Sequence, residues 1–410
     1  MRRVTLTSLD AAALDAADPL AAHRDLFVGA AGPVVYLDGN SLGRPLRATA
    51  TRMAAFVEEE WGGRLIRGWD ERWFDQPLTL GDRLAEVALG AAPGQTAIGD
   101  STTVLLYKMV RAAVAARPGR REIVIDRDNF PTDRYVVEGV AQECGLTVRW
   151  VEADPDGGLT VDDLATVVGP DTALVVVTHV AYKSGYLADV AALTRLAHDA
   201  GAWVLVDLCH SVGSVPLALD AWEIDLAVGC TYKYLNGGPG APAFGYVAAR
   251  HLADGSFAQP VQGWMGAADS FTMGPSYAPA TGIRRLLSGT PPIVGMLGLA
   301  DMVELVAEAG IEAVRAKSIA LTEYAVALVD RDLPGVRLAS PRDPAVRGGH
   351  VTLAHPRMRE VTAVLWERDV IPDFRMPDGL RLGLSPLSTS FAEVEAGVAA
   401  IRTALDDGTR

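Results

Sequence analysis

From about residue 95 to residue 250 the chain alternates short apolar runs with longer amphipathic ones, and that alternation limits its fold more than any other feature. Residues 121–125, 147–151, 173–177, 202–206 and 225–228 are brief and apolar, several of them rich in valine and isoleucine, as strands buried on both faces require. Longer stretches separate several of these runs. In 189–200 apolar residues recur at i, i+3, i+4 and i+7 and predict a helix. Such a series predicts an α/β fold with a largely parallel sheet covered by helices. Near residue 300 the pattern turns helix-rich (298–329), and weaker strands follow at 350–353 and 380–384. At 410 residues the chain exceeds one typical core. The expected division is an N-terminal segment, 1–50, packing with the small domain; a large domain, 51–298; and a small α+β C-terminal domain, 299–410.

Charge and cysteine content narrow the function classes. A formal net charge of −14, with both signs interspersed, argues against nucleic acid and anionic membrane as partners, since either favours a basic patch. Cys144, Cys209 and Cys230 lie far apart and form no CxxC pair, so neither a disulfide framework nor a metal site is expected, and a reducing compartment fits. Residues 1–20 carry two arginines and then alternate aspartate with alanine, without the apolar core of a signal peptide. The longest apolar runs are strand-length, far short of a bilayer span. A cytoplasmic protein is expected.

Ligands of an open α/β sheet bind at the carboxyl ends of its strands, so the residues just after each apolar run are the functional candidates. After 225–228 comes Gly229-Cys230-Thr231-Tyr232-Lys233-Tyr234-Leu235-Asn236-Gly237-Gly238-Pro239-Gly240. A surface lysine has no need of this setting. A lysine that forms a Schiff base with pyridoxal phosphate must stand at a rigid strand end, partly desolvated. After 202–206 comes Asp207-Leu208-Cys209-His210-Ser211, with Asp207 26 residues before Lys233. A buried acid beside a histidine needs partners. It either pairs with a protonated pyridine nitrogen or caps the next helix. The spacing to Lys233 favours the cofactor.

Other strand ends offer weaker signals. Ser101, Thr102 and Thr103 open a helix that runs on through Tyr107 and Met109. Hydroxyls and N–H groups at a helix N-terminus suit a phosphate, and serve equally as an ordinary cap. Phe130-Pro131-Thr132-Asp133 follows 121–125. Phe130, held by Pro131, could stack on a cofactor ring, and Asp133 could accept a hydrogen bond from it; a proline turn with a core phenylalanine is the plainer alternative. Thr178 adds a hydroxyl after 173–177. Arg375, late in the chain, has the forked guanidinium that binds a carboxylate bidentately, as an amino-acid substrate requires, unless it is simply an exposed loop arginine. Gly263-Trp264-Met265-Gly266 and Gly289-Thr290-Pro291-Pro292 are loops punctuated by glycine and proline.

Taken in chain order, these stretches resemble the kynureninases, members of the aspartate-aminotransferase-like (fold type I) pyridoxal phosphate enzymes. Tyr36-Leu37-Asp38-Gly39-Asn40-Ser41-Leu42-Gly43 and the Lys233 run carry the resemblance most specifically. It spans almost the whole chain. It implies a mostly parallel seven-stranded sheet, a homodimer with active sites at the subunit interface, and hydrolysis of L-kynurenine, or its 3-hydroxy form, to an anthranilate and L-alanine. By position, Lys233 would hold the cofactor and shuttle protons, Tyr232 would donate one, Asp207 would pair with the pyridine nitrogen, and His210 would stand beside it. Phe130, Pro131, Thr132 and Asp133 would lie at the ring, with Thr178 near. Thr102, Thr103, Tyr232, Trp264 and Thr290 would surround the phosphate. Arg375 would bind the substrate carboxylate, with Asn40, Ser41 and Trp69 lining the pocket. Trp69 and Thr290 are similar to the bacterial members that favour kynurenine, where animal members carry histidine and asparagine. Departures are Cys209 for a usual alanine, Leu105 and Ala181 at often polar positions, Ala267 for a frequent histidine and Ser388 for a frequent tyrosine.

Overall fold

The computed structural model describes residues 10–407. Seven short runs make the central sheet: β1 (Thr96–Ile98), β2 (Glu122–Asp126), β3 (Thr147–Val151), β4 (Thr172–Thr178), β5 (Trp203–Asp207), β6 (Leu226–Gly229) and β7 (Phe244–Val247). Their order is β1-β7-β6-β5-β4-β2-β3. Strands β3, β2, β4, β5 and β6 are mutually parallel, while β7 runs antiparallel to both β6 and β1. Alternate side chains of each strand enter opposite cores. Val175 and Val177 of β4 pack on one face with Leu80, Leu84 and Val190, whereas Leu174 and Val176 pack on the other with Met109 and Val137. Both faces are therefore dry, and a fully buried valine or leucine contributes about 1.5–3 kcal/mol over an exposed one. Helices α1 (Thr102–Ala116) and α2 (Pro131–Cys144) cover the second face; α3 (Val190–Asp199), capped by Asp189, covers the first.

The apolar runs seen in the sequence are strands here, within a residue at each end. Strands β1 and β7 were not recognisable from periodicity, and the sheet is less uniformly parallel than the series suggested. The reason lies in the connection. A parallel return takes a crossover, usually a helix, and 230–243 contains none, so the chain turns back beside β6. The helical stretch beginning near residue 298 is two helices, α4 (Leu297–Ala309) and α5 (Ile311–Asp332), parted by Gly310 at φ +78°, a conformation that favours glycine.

A second, antiparallel sheet has the order β10-β11-β9-β8, formed by β8 (Arg337–Leu338), β9 (His350–Ala354), β10 (Asp373–Arg375) and β11 (Gly379–Gly383). It shares a core with α5, α6 (Met358–Glu367) and α7 (Phe391–Asp407). The beginning of the chain packs here. Asp15 accepts from the Phe391 N–H at 2.8 Å, and Val35–Tyr36 pairs with Val370–Ile371. A buried ion pair, Arg44 with Glu393 at 2.6 Å, ties the following segment to the first turn of α7.

Candidate active site

The carboxyl ends of β2, β4, β5 and β6 bring four sequence-distant segments to one edge. Thr178 is paired with Asp207, and Asp207 with Val228. Lys233 sits in the tight turn after β6, fixed by Asn236 N–H to the Lys233 carbonyl at 3.0 Å and Gly237 N–H to the Thr231 carbonyl at 2.9 Å. The early segment clamps this turn. Gly43 N–H donates to the Tyr232 carbonyl at 2.8 Å, and the Asn236 amide donates to the Arg44 carbonyl at 2.7 Å. A Cβ at Gly43 would lie 2.4 Å from the Lys233 carbonyl oxygen. Overpacking of this kind costs about 1–3 kcal/mol, so Gly43→Ala should lower the denaturation midpoint; an unchanged midpoint would mean that the contact is slack.

The Lys233 amine is buried. It lies 3.2 Å from His210 Nε2 and 5.7 Å from the centre of the Phe130 ring. Burial holds the His210 pKa well below its ordinary value, with Lys233 and Arg381 adding to the effect, so His210 faces the amine as a neutral ring. Asp207 takes the Cys209 N–H on Oδ1 at 2.7 Å, which makes it the anchor of a turn; no helix follows for it to cap. Asp133 lies against Asp207. Burial, the Asp207 charge and the hydrogen bond between the two acids push the Asp133 pKa well up, and its Oδ2 is enclosed without a partner.

Phe130 is positioned by a residue the sequence reading overlooked. Asn129 Oδ1 accepts from the Phe130 N–H at 2.7 Å and from the Thr178 hydroxyl at 2.8 Å, while its amide donates to Asp126. Tyr182 meets Phe130 edge to face at 5.2 Å. Pro131 opens α2, with Thr132 and Asp133 in its first turn. At the far end of the edge Ser101 caps α1, leaving Thr102 and Thr103 in the first turn. The nearby Asp100 would oppose an anion there, but Lys108 pairs with it at 2.5 Å. Thr290 lines the same cleft as Ser101. Tyr232 stands beside Lys233, and burial raises its hydroxyl pKa, so it remains a donor.

On the opposite side the second sheet contributes arginines. Asp373 accepts from Arg381 and pairs with Arg375 at 3.0 Å. Arg381 also donates to the Tyr182 carbonyl at 2.6 Å and to Ser41 Oγ at 3.0 Å. Arg375 is partly exposed at 38%, whereas Arg381 is sealed at 1%. Asn40 is fully buried with both side-chain polar atoms unpartnered, as are both nitrogens of His350. Burial raises the Asp38 carboxyl to about 6, against a hydrogen bond from Ser41. The folded chain therefore takes up a proton between the ordinary 3.8 and about 6, and stability falls as pH rises through that window. Asp38→Asn should then gain on the order of 2 kcal/mol at about pH 7.5 and nothing at about pH 4. Urea midpoints shifted equally at both pH values would contradict this.

Lys233, Tyr232, Asp207, His210, Phe130, Asp133 and Thr178 thus meet at one edge, with Asn40, Ser41 and Arg375 facing them. Two anticipated residues lie elsewhere within the chain. Trp69 packs edge to face on Trp73, and Trp264 belongs to an aromatic group with Phe74 and Phe271. Arg381, His350 and Asn129 were missed. For Arg381 the available cue was a charged residue inside an apolar strand, Leu380-Arg381-Leu382.

Residues 100–370 match the family model for aminotransferase class-V. Kynureninase of Burkholderia pseudomallei (strain 1106a) is 42% identical over 409 residues, covering 98% of this chain and 96% of the relative. Kynureninase of Pseudomonas fluorescens is also 42% identical, with the same shares covered. Among solved structures, a mutant of C-DES with glycine covalently linked to its PLP cofactor has a TM-score of 0.82 at 21% identity, over 92% of this chain and 98% of that one. The apo cysteine desulfurase of Thermococcus onnurineus NA1 has a TM-score of 0.79 at 19% identity, over 93% and 98%. At such identities the structural likeness speaks for the fold alone.

Proposed function

The chain belongs to the kynureninases of the aminotransferase class-V family, and we propose that the edge around Lys233 is where it works. It is a pyridoxal phosphate-dependent hydrolase of a carbon–carbon bond, converting a kynurenine and water to an anthranilate and alanine. One observation carries the assignment of the cofactor to this place. The enclosed, unpartnered Oδ2 of Asp133 lies beside buried Asp207, within reach of the Lys233 charge, and offers the polar contacts that a hydroxylated pyridine ring needs. When bound, pyridoxal phosphate supplies an electron sink for bond breaking at the substrate amino acid.

The chain's own residues do the rest. Lys233 holds the cofactor, then moves the proton at the substrate α-carbon. Asp207 would keep a proton on the ring nitrogen, Phe130 would pack against the ring, and Thr178, Pro131 and Thr132 would shape the rim. The first turn of α1, with Thr102 and Thr103, receives the phosphate together with Thr290. Arg375 takes the substrate carboxylate, and Asp373 holds its guanidinium in place. Asn40 and Ser41 line the side where the aromatic ketone enters. Tyr232, whose proton is firmly held, donates to the β-carbon left when anthranilate departs.

Trp264 enters the site through a second copy of the chain. Phe74, Trp264 and Phe271 form a continuous aromatic group, and beside it Met273 is 83% exposed, a surface suited to burial in a homodimer. Light scattering should give twice 43.4 kDa; a fully active monomer would refute the shared site. A cytoplasmic location goes with the sparse, unpaired cysteines.

The fold is also that of cysteine desulfurases, whose chemistry uses a mobile nucleophilic cysteine late in the chain. Here the last cysteine is Cys230, and it is buried, so that reading is disfavoured. The substrate test is incubation of the yellow holoenzyme with L-kynurenine, read by anthranilate fluorescence, with 3-hydroxykynurenine in parallel. Preference for kynurenine is expected from Trp69 and Thr290. A yellow protein that cleaves neither would end the substrate assignment.

A further inference from the structure

We propose that Cys209 and Cys230 form a paired dithiol, a modification site that a peroxide closes to an intramolecular disulfide, reversibly disabling the active site. Strands β5 and β6 are parallel neighbours, with Val206 opposite Ala227 and Asp207 opposite Val228. Leu208 N–H continues the ladder to the Val228 carbonyl at 2.8 Å, which sets Cys209 opposite Cys230 just beyond the sheet. Cys230 N–H donates to Cys209 Sγ at 3.2 Å, and the Cys230 thiol donates to the Cys209 carbonyl at 3.8 Å. The two thiols also interact with each other, and Lys233 lies within electrostatic reach of both. Adjacent strands stand about 4.8 Å apart, inside the roughly 4.4–6.8 Å between α-carbons that a disulfide spans.

Cys209 retains 8% exposure and is the point of entry; Cys230 is sealed at 1%. In the first step a peroxide oxygen transfers to one thiol, giving a sulfenic acid and water. The second thiol then displaces that oxygen as water, so both thiol hydrogens leave in water and two electrons pass to the peroxide. Neither cysteine is needed for the cleavage chemistry. Joining them matters because of what flanks them. The Cys209 N–H holds Asp207, and Tyr232 and Lys233 follow Cys230 by two and three residues. Turning Cys209 Sγ to bond the other sulfur withdraws it from the Cys230 N–H, and so unsettles the turn that leads to Tyr232 and Lys233 beside the Asp207 anchor.

The test treats the holoenzyme with hydrogen peroxide and reads intact mass and non-reduced peptides; this arm stands independently of the assigned reaction. The expected product is lighter by about 2 Da, contains a joined Cys209–Cys230 peptide and reverts with dithiothreitol. Anthranilate release, which rests on the kynureninase reading, should fall at least tenfold and recover in step. Cys209→Ala, which keeps the backbone N–H serving Asp207, should retain its activity under the same peroxide. In the unaltered chain, prior treatment with phenylarsine oxide, a bridging reagent for paired thiols, should block the mass loss. Separate oxygen additions to unjoined sulfurs, or a mass loss that phenylarsine oxide does not block, would overturn the proposal.

Discussion

Lys233→Ala should lower turnover at least about 10³-fold, the upper part of the range for removing a positioned base that is also the covalent anchor, and should abolish the absorbance band of cofactor joined to the chain. The fold should survive. The Lys233 amine has one hydrogen-bond partner, His210, and losing a single such bond costs about 1 kcal/mol. The turn itself is held by backbone bonds and by the clamp from Gly43 and Arg44, none of which uses the lysine side chain. Circular dichroism melting should therefore move by only a few degrees. Lys233→Arg keeps a cation but offers no amine that can form the link, and it should be equally inactive. A variant that keeps both colour and turnover would remove Lys233 from the chemistry.

Asp207→Asn is expected to be nearly as damaging. Asparagine keeps the shape of the side chain and still accepts the Cys209 N–H, so the turn after β5 stays in place. What disappears is the negative charge in a buried setting, 4% exposed, where a protonated ring nitrogen has no water to replace it. Breaking one side of a buried charge pair costs about 3–5 kcal/mol, which corresponds to roughly 10²–10⁴ in rate when the pair is needed at the transition state. Asp133 is the control. Burial and the Asp207 charge push its pKa up, so Asp133→Asn removes less charge than Asp207→Asn does and should cost only about tenfold. Equal losses in the two variants, followed in turnover and in cofactor titration, would show that the carboxyls are interchangeable and that Asp207 has no distinct role.

Much of the site was legible because the fold places chemistry after strands. Lys233, Asp207, Phe130 and Thr178 each follow an apolar run, and parallel strands in register carry those positions to one edge. Residues that act from the side were harder to find. Arg381 reaches Ser41 across 340 positions, and Asn129 supports Phe130 from the neighbouring position by side-chain bonds that no periodicity reveals. The early Asp38-to-Gly43 stretch was recognisable only by resemblance. Its physical reason is contact: Gly43 has no room for a Cβ against the Lys233 carbonyl, and Gly39 none against Ser385.

The sequence by itself determined the α/β class, because runs buried on both faces must be apolar throughout while the helices that cover them need only one apolar stripe. It reached the cofactor chemistry only through the resemblance carried by the Tyr36-to-Gly43 stretch, Asp207 and the Lys233 run, because a lysine and an acid after two apolar runs are by themselves ordinary turn residues. Tertiary structure alone decided the direction of β7, the sealing of Arg381 against Asp373, the neutral His210 facing the lysine and the meeting of Cys209 with Cys230. Each of these depends on distances across paired strands and turns, between residues from 8 to more than 20 positions apart. Local propensity does not encode such distances; packing of the whole core sets them.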